Sequence, residues 1–110
     1  MEIKTLKEKN TVVITVMGKI DAVTTPEFDK ALTKLVAEGE STFLLNFSGL
    51  EYISSTGLRS ILAAAKQLKP KGGDISFFGL KGPVKDVFRI SGFGTIFKIF
   101  DTQEDALKQV

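Results

Sequence analysis

Apolar periodicity in this chain switches repeatedly between a β pattern and a helical one, and that alternation constrains the fold more than any other feature. Residues 11–17 (TVVITVM) are β-branched and apolar, a strand signal. Residues 2–6 alternate loosely between polar and apolar, and the polar Lys7-Glu8-Lys9-Asn10 between the two runs reads as a turn, so the chain opens on a hairpin. Thr25-Pro26-Glu27 is a helix start: Thr25 caps, Pro26 suits the first helical position and Glu27 complements the dipole. Phe28, Leu32, Leu35 and Val36 then recur at helical spacing until Gly39. Residues 42–47 (TFLLNF) form a short apolar run of the kind that fits a parallel strand covered on both faces. A second helix carries Leu58, Ile61, Leu62, Ala65 and Leu68 on one face and stops at Pro70 and Gly72-Gly73. Residues 75–78 give another strand. Gly82-Pro83 opens a third helix with Val84, Val87 and Phe88 inward, closed by Gly92. Residues 96–100 give the last strand, and Thr102 caps a final short helix through Leu107.

The predicted order is β-β-α-β-α-β-α-β-α. Strands alternating with helices imply crossover connections and an α/β fold. The expectation is a mixed, mostly parallel sheet of about five strands with four helices, the first strand antiparallel to the second. With 110 residues, no internal repeat and no linker, the chain is expected to form one domain over residues 1–110.

Composition narrows the chemistry. Cysteine and histidine are both absent, which removes disulfides, thiolate metal sites, a thiol nucleophile, the commonest metal ligand and any Ser-His-Asp triad. No enzyme, catalytic residue, metal or cofactor is expected. The net charge is +2, and the one basic cluster, Lys66, Lys69 and Lys71, reads as a solvated helix end rather than a nucleic-acid footprint. Met1-Glu2-Ile3-Lys4 lacks the apolar run of a signal peptide, and no segment approaches the roughly 20 apolar residues of a membrane span. The expected location is the cytoplasm.

In open α/β sheets, function gathers where strands end and the following helices begin. Between residues 48 and 57 this edge holds three consecutive hydroxyls, Ser54, Ser55 and Thr56, immediately before Gly57 and an apolar helix. One hydroxyl suffices for a cap. The others are either solvent-facing neighbours or a regulatory group, since a phosphate at a helix amino terminus meets free N–H groups and the positive end of the dipole.

The segment from Leu44 to Leu62, with Asn46-Phe47-Ser48-Gly49-Leu50 and Ser54-Ser55-Thr56-Gly57-Leu58-Arg59 at its centre, closely resembles the signature of the STAS family, in particular bacterial anti-sigma factor antagonists. Gly18-Lys19-Ile20-Asp21, Lys71-Gly72-Gly73-Asp74-Ile75 and Val84-Lys85-Asp86-Val87-Phe88 resemble other family segments, so the likeness covers essentially the whole chain in order. It implies a partner switch. The unphosphorylated protein binds an anti-sigma factor that is also a GHKL-type serine kinase, and so frees a sigma factor. Phosphorylation releases the antagonist, and a phosphatase resets it. The acceptor position falls on Ser55, with Ser54 a lesser alternative. Ser54 and Asn46 stand where well-known members carry aspartate. The free protein is expected to be a monomer, and the spread of charge and the lack of a long apolar run argue against direct contact with nucleic acid or membrane. A rival within the family is a STAS scaffold, ligand sensor or lipid-transport-assembly subunit that is not phosphorylated.

Other residues of interest are Asp21, either turn-forming or partner-facing, and Ala63 and Ala64. These alanines are placed on the polar side of the second helix, where with Gly57, Ser60 and Gln67 they would form a flat docking surface that also includes Ser54, Ser55 and Thr56. Arg59 reads as solvated or as a partner for a phosphate or Glu51. Most of the nine phenylalanines read as core, with Phe93 the exception expected to be exposed.

Overall fold

The computed structural model describes residues 1–109. Strands β1 (Glu2–Glu8) and β2 (Thr11–Ile20) form the expected antiparallel hairpin. They are followed by α1 (Thr25–Ala37), β3 (Thr42–Asn46), β4 (Leu50–Ile53), α2 (Ser55–Leu68), a single 3-10 turn (Lys69–Lys71), β5 (Asp74–Phe78), α3 (Gly82–Ser91), α4 (Phe93–Ile96), β6 (Lys98–Phe100) and α5 (Gln103–Gln109). The sheet order is β1-β2-β3-β5-β6, and every pairing after the hairpin is parallel. The α/β class and the mixed sheet are as expected. The structure adds β4 and α4, and shortens the last strand because Ile96 ends α4 instead of opening β6.

Alternation along β2 divides the interior. Val12, Ile14 and Val16 join the main cluster with Phe28, Leu32, Ile61, Leu68, Val84 and Phe88, so the apolar faces of α1, α2 and α3 share one side of the sheet. Val13 points the other way and meets Leu44, Phe78 and Ala106 of α5. Phe93, expected to be exposed, is only 4 % accessible. Its ring lies 5.3 Å from that of Phe88 and 5.4 Å from that of Phe97, extending an aromatic network through Phe77 and Phe47. The turn that places it there needs Gly92, whose φ of 80° is left-handed. Among the described residues, no helix is long and apolar enough to cross a membrane.

β4 lies off the main path and pairs with the end of β2 alone. β3 accompanies β2 from Val12 to Thr15; from Gly18 onward β4 takes over as its parallel neighbour, with a register shift between Gly18 and Lys19 that sets Ile20 beside Ile53. Two strand ends thus finish together, and the helix after each one starts from the same edge.

Candidate functional site

The edge is built from the loop after β2 and the start of α2. Asp21 follows Ile20 directly and folds back on its own loop. Its Oδ1 accepts from the backbone N–H of Val23 and of Thr24, both at 3.0 Å. This Asx turn leads the chain into α1. The Thr24 hydroxyl accepts from the Asp21 N–H at 2.9 Å and donates to the Lys19 carbonyl at 2.7 Å. Asp21 is therefore turn-forming. The N–H of Thr24 foremost, then the Thr24 hydroxyl, the N–H of Val23 and the charge of Lys19, hold its carboxyl below the usual value against a partial cost of desolvation. The cap position of α1 falls on Thr24, with Thr25 already helical and its hydroxyl turned back to the Asp21 carbonyl at 2.6 Å. Thr25 is thus not the cap residue that the sequence pattern indicates.

On the facing side, the Ser54 N–H donates to the Ile20 carbonyl at 2.8 Å, continuing the strand pairing into the helix start. Ser54 is the cap of α2: its Oγ accepts from the Gly57 N–H at 3.3 Å. Its hydroxyl lies 2.8 Å from that of Thr56, and Thr56 lies 3.0 Å from Thr25. Counting protons orients the chain. Asp21 offers Thr25 a carbonyl, which can only accept, so the one Thr25 proton is spent there. Thr25 must then accept from Thr56, and Thr56 from Ser54. The direction is Ser54 to Thr56 to Thr25 to the Asp21 carbonyl, and it links the first turns of α2 and α1 through side chains.

Ser55 stands outside this chain. It is the first residue of α2, it is exposed, and among the described residues its hydroxyl has no protein partner. Two of the three adjacent hydroxyls are structural and one is free, a distinction that spacing cannot make.

The predicted docking face of α2 is divided by the structure. Gly57, Ser60 and Ala64 are buried, with Ser60 at 7 % and Ala64 at 4 % accessible, and they belong to the inward stripe with Ile61 and Leu68. They are not surface residues, because the arc facing the sheet and α1 is wider than the leucine pattern alone marks out. Gly57 is needed for close approach: a Cβ there would lie 2.7 Å from Ile20 Cγ2 and 2.9 Å from Ile53 Cγ1. Ala63 and Gln67 are exposed, as is Arg59. Ser55, Arg59, Ala63 and Gln67 are spaced four apart and run as one exposed row along the helix. Pattern reading passed over two apolar side chains at the same edge: Val23, 86 % accessible in the loop after β2, and Tyr52, 45 % accessible on β4. A large apolar residue inside a turn was the available signal for Val23. Asn46, one strand inward, is used locally: its Oδ1 accepts from the N–H and hydroxyl of Ser48, and its Nδ2 donates to Thr15 Oγ1.

The STAS domain family model matches residues 2–106. The protein BtrV of Bordetella bronchiseptica is 37% identical over 81% of this chain and 77% of its own. The anti-sigma-B factor antagonist of Listeria monocytogenes is 30% identical over 86% of this chain and 84% of its own. A Thermotoga maritima protein of known crystal structure superposes with a TM-score of 0.92 at 21% identity, covering 98% of this chain and 93% of that one. A family match over residues 2–106, nearly the full length, makes this chain a member of the STAS domain family.

Proposed function

We propose that this protein is an anti-sigma factor antagonist whose binding is switched by phosphorylation of Ser55. The observation that carries this reading is the division of labour among three neighbouring hydroxyls: Ser54 and Thr56 are committed to the chain that ends on the Asp21 carbonyl, and only Ser55 is exposed and unpartnered among the described residues. The relative in Listeria monocytogenes carries the name of anti-sigma-B factor antagonist, which supports the same role here.

In this reading the partner is an anti-sigma factor with GHKL-type serine kinase activity. It docks on the row Ser55, Arg59, Ala63 and Gln67, with Val23 and Tyr52 as apolar contacts beside it. A phosphate on Ser55 adds about −1.5 to −2 charges at the start of that row. The free N–H groups of the first turn and Arg59 tolerate it within the domain. A docked surface is penalised, because the dianion must be desolvated and repels acidic groups opposite it. A phosphatase then restores the neutral hydroxyl, and the free protein is a cytoplasmic monomer.

The test is incubation of the purified chain with its cognate anti-sigma kinase and ATP, followed by intact-mass and fragment analysis. The expected result is one added phosphate, located on Ser55, with loss of binding. Stable binding without phosphate gain would favour the scaffold role, and phosphate on Ser54 would overturn the assignment of the acceptor.

A further inference from the structure

We propose that the cavity between α3, α4 and β6 is a binding site for a small organic anion, a monocarboxylate with an apolar body. This goes beyond the switch at Ser55: β3 and β5 separate β6 from β2, and no residue of the hydroxyl chain lines the cavity. The space is about 300 Å³, at the lower end of the range for small-molecule sites. Its walls are apolar, formed by Leu80, Phe88, Ile99 and Phe100.

Two observations point to an occupant. The first is charge. Lys85 and Arg89 line the cavity against a single carboxylate, Asp101, so the balance favours an anionic head group. Among the described residues the Lys85 ammonium has no ion pair, and Arg89 meets Asp86 only at 3.6 Å with both side chains well exposed, a weak contact that a ligand carboxylate can replace.

The second is Gly94, which neither the backbone nor packing requires. It lies in α4 outside the left-handed region, and a Cβ would meet only Ile99 Cδ1, at an ordinary 3.9 Å. Alanine would fit and would favour the helix. Glycine there serves to keep the cavity open. Its neighbour Gly92, by contrast, is fixed by its positive φ.

The experiment is an amide NMR titration of the full ¹⁵N-labelled chain with sodium octanoate, compared with octylammonium chloride and 1-octanol. Octanoate is expected to give saturable shifts centred on Gly92, Gly94, Thr95 and Ile99, and to bind more tightly than either analogue. The double variant Lys85→Glu/Arg89→Glu is expected to weaken octanoate binding by about tenfold or more. Gly94→Leu is expected to abolish it by filling the space. If that variant does not fold, the charge reversal on the exposed rim still decides the matter. Absence of saturable shifts, shifts centred elsewhere on the surface, or octylammonium binding as tightly as octanoate would each overturn the proposal.

Discussion

The hydroxyl oxygens of Thr25, in the first turn of α1, and Thr56, in the first turn of α2, lie 3.0 Å apart. They are 31 residues apart in sequence, and the contact exists only because the strands preceding the two helices end side by side. Thr56→Val keeps the shape, removes this link and leaves Ser54 without its acceptor. The expected loss is about 1–2 kcal/mol of unfolding free energy, the range for a part-buried hydrogen bond and a stranded partner. Thr56→Ser should recover most of it. Urea denaturation of the three proteins checks this, and equal stability of the valine variant and the parent would refute the chain.

Ser54 and Ser55 should separate in a stability measurement. Ser54→Ala removes the cap of α2 and is expected to destabilise by about 1 kcal/mol. Ser55→Ala removes an exposed hydroxyl without a partner and is expected to stay within about 0.5 kcal/mol of the parent. In binding the order reverses: Ser55→Ala should bind the anti-sigma partner constitutively, while Ser55→Glu should bind more weakly than the parent. Calorimetry with the partner gives this second comparison.

Gly57→Ala runs against helix propensity, which favours alanine. The added methyl would stand 2.7 Å from Ile20 Cγ2 and 2.9 Å from Ile53 Cγ1, pressing α2 away from the ends of β2 and β4. The expected net cost is about 1–3 kcal/mol, read as a lowered melting temperature. A stabilised variant would show that the helix start can shift freely.

Asp21 sets a pH dependence whose sign is determined. Its carboxyl titrates below the usual 3.8 in the folded protein, chiefly because the Thr24 N–H bonds the charged form. The stabilisation is therefore complete above the unfolded value and is lost as pH falls through the folded one. Thermal unfolding followed from pH 6 to pH 2 should show a steeper loss for the parent than for Asp21→Asn, which keeps an acceptor oxygen but cannot titrate. Parallel curves would remove Asp21 from the acid response.

Val23, in the loop after β2, and Tyr52, on β4, are exposed apolar groups. Val23→Asp and Tyr52→Ala are expected to leave the melting temperature nearly unchanged while weakening the anti-sigma complex by about tenfold or more, as truncated apolar anchors do. Unchanged affinity in both variants would move the docking surface elsewhere.

Local pattern was sufficient where one residue type has one dominant role. The β-branched run of β2, the Pro26 and Pro83 helix starts, the close of α3 at Gly92 and the Thr102 cap, whose hydroxyl accepts from the Asp105 N–H at 3.1 Å, could all be read directly. So could the alternation that makes the sheet parallel. β4 could not: of Leu50-Glu51-Tyr52-Ile53 only the outer two are buried, a spacing that fits a helical turn and not strand alternation, and the segment is a strand because the last residues of β2 outrun β3 and need a neighbour. The inward stripe of α2 was shifted in the same way. Glycine, serine and alanine carry little hydropathy, so burial of Gly57, Ser60 and Ala64 is visible only once α1 and the strand ends lie against them. The row of three hydroxyls was plain in the sequence, but their separate roles were set by where Thr25 and the Asp21 carbonyl came to rest. A hydroxyl has one proton to give, and tertiary structure decides which acceptor receives it.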